Sequence, residues 1–128
     1  MKYIYSAVFT PCETGYTASI PDLPGCVTTG KTLQDAIEQI TDAASGWLVV
    51  AEDEKLTIKP CSNQQDLSLA PDQLCSLISV DTVKYRSLTD TRCVRKNVSI
   101  PAWLATLADR QNINVSQVLQ EALIAKMQ

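Results

Sequence analysis

The sequence predicts an α+β chain in two parts: a β-β-β-α-β unit over residues 1–83 and a strand–helix–helix module over 92–128, joined by a linker at 84–91. Three observations carry that division. Alternating apolar and polar residues mark short strands near the N-terminus, and an apolar stripe at helical spacing follows Thr32. After Pro101 the period switches a second time from two to that of a helix, and the sign of the charge changes just before it.

Tyr3, Tyr5, Ala7 and Phe9 alternate with Ile4, Ser6 and Val8, which predicts a first strand over residues 2–10. Thr10 to Gly15 holds a proline and a glycine and reads as a hairpin loop. Tyr16–Ile20 is the second strand, Pro21–Gly25 a rigid bend, and Cys26–Thr29 a short third strand. Thr32 caps a helix with Asp35 three residues on, and Leu33, Ala36, Ile37, Ile40, Ala43, Ala44, Trp47 and Leu48 form its apolar stripe. Packing that stripe on one face of the sheet makes two layers. Glu52–Glu54 mark the turn after the helix, Leu56–Ile58 a brief strand, and Lys59–Asp66 a polar loop. Leu74–Val80 is the next apolar run, and the polar, aperiodic stretch from Val83 to Thr91 reads as a linker.

In the second part Val94, Val98 and Ile100 alternate with Arg95, Asn97 and Ser99, giving a strand with one oily face and one basic, polar face. Lys96 falls on the inward parity, from which a long side chain can snorkel to a phosphate. Trp103, Leu104, Leu107 and Ala108 make a short helix, Gln111–Asn114 break it, and Asn114 caps a second helix bearing Val115, Val118, Leu119, Ala122 and Leu123. Neither helix is long enough to stand alone, and the segment is too small for a core of its own. A homodimer that pairs the strand with its own copy solves both problems.

Composition narrows the function. A hydrophobic share of 45% and a charged share of 20% are those of a folded globular chain. No apolar run reaches membrane length, and the N-terminus lacks a signal peptide's apolar centre, so the expected location is the cytoplasm with no membrane partner. Five cysteines without a CxxC, and no histidine at all, give no metal-ligand spacing, so no metal or cofactor is expected. The cysteines read as small, mostly buried apolar residues. Without histidine the commonest proton-transfer group near neutral pH is missing, and the acids lie in turns and on a helix flank, not as a strand-centred pair. The chain therefore reads as a non-enzyme, with a metal-dependent nuclease as the enzymatic alternative. From Thr91 onward Arg92, Arg95, Lys96, Arg110 and Lys126 face only Asp109 and Glu121, a net +3, which leaves −6 on residues 1–90 of a chain whose total is −3. Such asymmetry points to two partners, one anionic and one cationic.

Strand, proline, helix, asparagine turn and helix within 40 residues, behind a basic strand face, resemble the ribbon-helix-helix family of DNA-binding dimers. The resemblance implies a two-stranded ribbon in the major groove of operator DNA, with Arg95, Asn97 and Ser99 reading bases; Lys96, on the inward parity, departs from the family pattern and reaches the DNA backbone by snorkelling. It places the helix start, Asn114, Val115 and Ser116, at a phosphate. An arginine fork fits guanine, an asparagine fits adenine, and a helix N-terminus offers free N–H groups to an anion. The bland alternative is a dimer or sheet-edge strand with a solvated basic face.

The first part resembles the HicB antitoxin family, on Gly15-Tyr16, the run PDLPGCVTTG over 21–30, Thr32-Leu33, Ala36 and the helix to Leu48, and further on Asp81, Tyr85-Arg86 and Arg92. That resemblance implies a partial RNase H-like fold for residues 1–82. It also implies neutralisation of a small basic HicA-like toxin that cleaves mRNA, and repression of the chain's own operon. Asp22, Asp35, Glu38 and Asp42 are the acidic candidates for toxin contact. The assembly expected is a homodimer through the ribbon, or a homotetramer where ribbons or N-terminal domains associate further. The alternative is a plain ribbon-helix-helix repressor whose N-terminal domain senses a ligand or only assembles the dimer.

Overall fold

The structure is a computed structural model that describes residues 1–127, with Asp66 described through its backbone alone; Gln128, the last residue of the expected second module, lies outside the described residues. Four strands and four α-helices are present among those residues: β1 Lys2–Cys12, β2 Gly15–Ser19, β3 Val27–Gly30, α1 Leu33–Asp53, β4 Leu74–Asp81, α2 Thr82–Thr89, α3 Ala102–Arg110 and α4 Val115–Met127. The mixed α+β class is as expected. The sheet is antiparallel throughout, in the order β3-β2-β1-β4, so β4 is one of its two edges.

β1 is longer than its apolar alternation, because Pro11 does not stop it. β4 pairs only as far as Phe9, so beyond that point one side of β1 needs no donor. The hairpin then closes with Cys12 opposite Gly15, across two residues instead of the longer loop expected. A Cβ at Gly30 would lie 2.3 Å from the Ala36 nitrogen, so glycine is what lets β3 end directly against the first turn of α1.

Helix α1 starts as expected. The Asp35 N–H donates to Thr32 Oγ1 (3.1 Å), and Asp35 Oδ2 accepts from the Lys31 N–H (3.0 Å). It runs on through Glu52 and Asp53, which were expected to mark the turn. No glycine or proline stops it until Lys55 turns left-handed (φ 56°) and its N–H closes on the Glu52 carbonyl. Ala36, Ile40, Ala44 and Leu48 point at Tyr5, Ala7, Phe9, Ala18, Ile78 and Val80, and together these form the core. Each large side chain among them contributes about 1.5–3 kcal/mol by leaving water. Leu23, 1% exposed, plugs the core from the Pro21–Gly25 bend, and Trp47 Nε1 pins that bend by donating to the Pro24 carbonyl (3.0 Å).

Three local expectations change. Leu56–Ile58 forms no strand; the Leu56 N–H is taken by the Ala51 carbonyl (2.9 Å) in the turn that ends α1, and the segment pairs with neither edge of the sheet. The expected linker is helical over most of its length: α2 continues to Thr89, capped by Asp81 Oδ1 accepting from the Lys84 N–H (3.2 Å). Of the cysteines only Cys26 is buried, while Cys12, Cys61 and Cys93 lie exposed in a hairpin end, a loop and an unpaired segment.

Residues 90–101 carry no hydrogen-bonded element, and all are exposed. The expected ribbon strand has no partner within the chain, so its ladder cannot form there. The two helices after it are where the spacing placed them. Asn112 takes the left-handed conformation (φ 52°), and Asn114 Oδ1 caps α4 by accepting from the Gln117 N–H (3.1 Å).

Candidate functional site

Two regions carry the residues singled out in the sequence. In the C-terminal part the structure gathers Cys93, Val94, Arg95 and Lys96 with Ser116, Leu119, Gln120 and Leu123 of α4 around a groove of about 600 Å³. Arg95 and Lys96 thus come close to the start of α4, where Asn114 and Val115 stand one turn away. Asn97 and Ser99 lie outside that groove, on the exposed segment. Among the described residues neither Arg95 nor Lys96 forms an ion pair. Arg92 differs: its guanidinium forks onto Asp90 (2.9 Å to each oxygen), and those hydrogen bonds pull the Asp90 carboxyl down to about 2. Of the three bases on the strand segment, Arg95 and Lys96 are therefore the ones free to meet an anion.

The apolar residues beside them are bare. No residue of α3 or α4 is buried; Val94 is 89% and Trp103 65% exposed, with Val98, Ile100, Leu107, Val118 and Leu123 also open to solvent. A run of large apolar side chains on one short segment is far more than a monomeric surface ordinarily carries.

The four acidic candidates separate. Asp22 accepts hydrogen bonds from both the Ser62 N–H (2.8 Å) and the Ser62 hydroxyl, tying the loop after Lys59 to the Pro21–Gly25 bend. Asp35 is taken up by the α1 cap. Glu38 and Asp42, one turn apart, line a groove of about 640 Å³ between α1, β4 and α2, where Lys2, Lys84 and Asp81 also stand. Only this pair of the four acids is brought together with its carboxylates turned to solvent.

Sequence reasoning missed a polar cluster at the end of α1. Glu52 accepts from the Tyr3 hydroxyl (2.8 Å), from Thr82 Oγ1 (3.1 Å) and from the Arg86 guanidinium (3.1 Å), and Arg86 also pairs with Asp53 (2.9 Å). The N-terminal amine donates to Thr82 Oγ1 (3.1 Å). This cluster fastens α2 and the first residue of the chain to α1. Partial burial pushes the Glu52 carboxyl up, but the hydrogen bonds from Tyr3, Arg86 and Thr82 outweigh it, and the net shift is down. Burial and the bond to Glu52 push the Tyr3 phenol up to about 12. A carboxylate whose folded pKa is depressed stabilises above its ordinary value of 4.5, and that stability is lost as pH falls through the folded value. Glu52→Gln is expected to lower the melting temperature at pH 7 and to flatten its decline below about pH 5. Parallel melting curves of both proteins between pH 3 and pH 7 check this.

Among the described residues no three Cys, Asp or Glu side chains cluster to hold a metal ion, and no helix is long and apolar enough to cross a membrane.

Known proteins share this architecture. The chain is similar over 98% of its length to 99% of a chain from a toxin–antitoxin complex of Streptococcus pneumoniae, with a TM-score of 0.63 and 22% identity, a likeness of fold. It is similar over 100% of its length to 99% of the antitoxin HicB of Burkholderia pseudomallei, with a TM-score of 0.52 and 25% identity. Over 49 residues, 38% of this chain and 67% of the relative, it is 39% identical to the UPF0150 protein ssl0259 of Synechocystis sp.. A family model described as the HicB-like antitoxin of bacterial toxin–antitoxin systems matches residues 5–127. With nearly the whole length covered, from the second residue of the Tyr3–Tyr5 pair to the end of α4, the chain belongs to the family of HicB-like antitoxins.

Proposed function

We infer that this antitoxin neutralises a small basic HicA-like toxin that cleaves mRNA, and that it represses its own operon by binding operator DNA as a ribbon-helix-helix dimer. The observation that carries the DNA half is the bare apolar surface of residues 94–123 beside the unpaired Arg95 and Lys96. Pairing residues 93–100 antiparallel with a second copy turns Val94, Val98 and Ile100 inward, onto α3 and α4 of both chains. The same pairing leaves Arg95, Asn97 and Ser99 on the outer face of a ribbon that fits the major groove. Asn114, Val115 and Ser116 then present the N-terminus of α4 to a phosphate, with Lys96 beside it. The toxin half rests on family membership and on the −6 carried by residues 1–90, which complements a cationic partner. Residues 1–83 in a partial RNase H-like arrangement, extended by α2, form the neutralising unit. Within it Glu38 and Asp42 are the available acids, since Asp22 and Asp35 already serve the fold.

In a gel shift with the operator at fixed salt, Arg95→Ala is expected to weaken binding by roughly 1–3 kcal/mol and to relax specificity at one base pair. Asn97→Ala is expected to act at a neighbouring base, and affinity should fall steeply as salt rises. Binding left intact by both substitutions would overturn the ribbon. For the toxin, co-expression with the small basic protein encoded beside this chain should restore growth and yield a co-purified complex. If that protein is not bound while operator binding persists, the chain acts as a plain repressor.

A further inference from the structure

We propose that the last turn of α4 closes into a groove beside the first half of β1 and latches the C-terminal helices onto the N-terminal unit. The groove follows from the sheet register. β2 stops at Ser19 opposite Val8, so residues 2–7 of β1 have no strand on that side. The segment after α1 approaches there instead, held by the Tyr5 hydroxyl donating to the Lys59 carbonyl. Between this segment, the end of α1 and α2 lies a space of about 920 Å³, walled by Tyr3, Tyr5, Leu56, Ile58 and Val83. The two tyrosine rings stack with centroids 6.3 Å apart and give the groove an aromatic side, a surface that a thioether packs against well.

The occupant is at hand. Met127 of α4 stands at this groove, whose other lining residues all belong to the first 86 positions. It is 60% exposed, so the seat is approached and not filled. Helical spacing shows why this turn is available. Val115, Leu119 and Ala122 belong to the stripe that ribbon pairing covers, and Lys126 continues the same line. Ile124 and Met127, three residues apart and therefore neighbours on the helix surface, fall outside that stripe. Both are open to solvent, and the paired ribbon leaves them so. Charge agrees with the fit. The last carbonyls of α4 have no partner within the helix and form the negative end of its dipole. Lys55 and Lys59 line the groove, and among the described residues neither forms an ion pair. Their ammonium groups can donate to those carbonyls as the Met127 side chain enters. The latch takes up neither the apolar stripe nor the base-reading residues, so it is compatible with dimer pairing and does not depend on it. It fixes the C-terminal helices against the unit that they otherwise follow only through the exposed residues 90–101.

The chain has two methionines, Met1 and Met127, and both line this groove. Isotope labelling of the methionine methyls in the full chain therefore reports on it directly. The Met127 methyl should show nuclear Overhauser contacts to Ile58 or to the rings of Tyr3 and Tyr5. Amide relaxation should give residues 102–127 the same tumbling time as residues 2–89. Leu56→Glu is expected to abolish the Met127 contacts from the groove side, at a residue already 52% exposed and so outside the core. Met127→Asp acts from the helix side. Each substitution should let the C-terminal helices tumble faster than the N-terminal unit, with the sedimenting mass unchanged. An intact chain without those methyl contacts, or with the two parts already tumbling separately, would overturn the proposal. Tumbling that stays coupled in either variant also sinks it.

Discussion

Val98→Asp is expected to dissociate the C-terminal dimer and to abolish operator binding, a larger effect than the loss of any base-reading side chain. Val98 lies at the middle of the apolar parity Val94, Val98, Ile100, and within one chain it is half exposed. In a paired ribbon it turns into the core shared by α3 and α4 of both copies, and symmetry brings a second aspartate close to the first. Each carboxylate held there without a cation costs about 3–5 kcal/mol, which exceeds what so small a shared core can supply. The folded N-terminal unit should be untouched, since Val98 contacts none of its core. Sedimentation together with a gel shift checks both halves of the expectation. Operator affinity kept within about twofold would mean that the inward parity has been assigned to the wrong residues.

The strands and α1 were legible in the sequence because each is amphipathic on its own. Tyr3, Tyr5, Ala7 and Phe9 alternate strictly, and Ala36, Ile40, Ala44 and Leu48 recur at the helical period, so the pattern marks the faces that meet in the core, although Ser6 and Val8 of the other parity are buried as well. α2 was not legible, for a physical reason. Its residues, TVKYRSLT, have no apolar stripe, and the helix is held by the Asp81 cap and by Arg86 reaching the last turn of α1. Those tertiary contacts leave no periodic trace. Leu56–Ile58 failed in the opposite way: its composition suits a strand, but the Leu56 N–H is spent on the Ala51 carbonyl in the turn that ends α1, and the segment joins neither edge of the sheet.

The site was legible in part. Asn114 as a cap, the left-handed asparagine before it and the positions of α3 and α4 follow from turn chemistry that acts within a few residues. The division of labour among the acids does not. Asp22 and Asp35 look in the sequence like Glu38 and Asp42, and only the fold shows that the first two are spent on Ser62 and on the α1 cap. Likewise Glu52 and Asp53 read as ordinary turn acids, whereas the meeting of Glu52 with Tyr3, Thr82 and Arg86 joins residues thirty or more positions apart.

That cluster decides where the chain can be cut. A protein ending at Thr89 keeps α2, Arg86 and the complete core, and is expected to fold, to lose operator binding entirely, and to neutralise the toxin still. A protein ending at Val83 loses Tyr85 and Arg86, and with them the cation paired to Glu52 and Asp53. The Glu52 side chain is 19% exposed and that of Arg86 39%, so solvent screens part of the pair, and the loss is about 1–2 kcal/mol. For a domain of this size each kcal/mol moves the melting temperature by about 4–8 °C, so the two truncations should differ visibly in a thermal scan. Neutralisation retained at Thr89 and weakened at Val83 would assign toxin inhibition to the folded α1–α2 unit. Inhibition lost at Thr89, in a protein that melts like the intact N-terminal domain, would instead make it a property of the dimer, with the ribbon holding two neutralising units at a fixed separation.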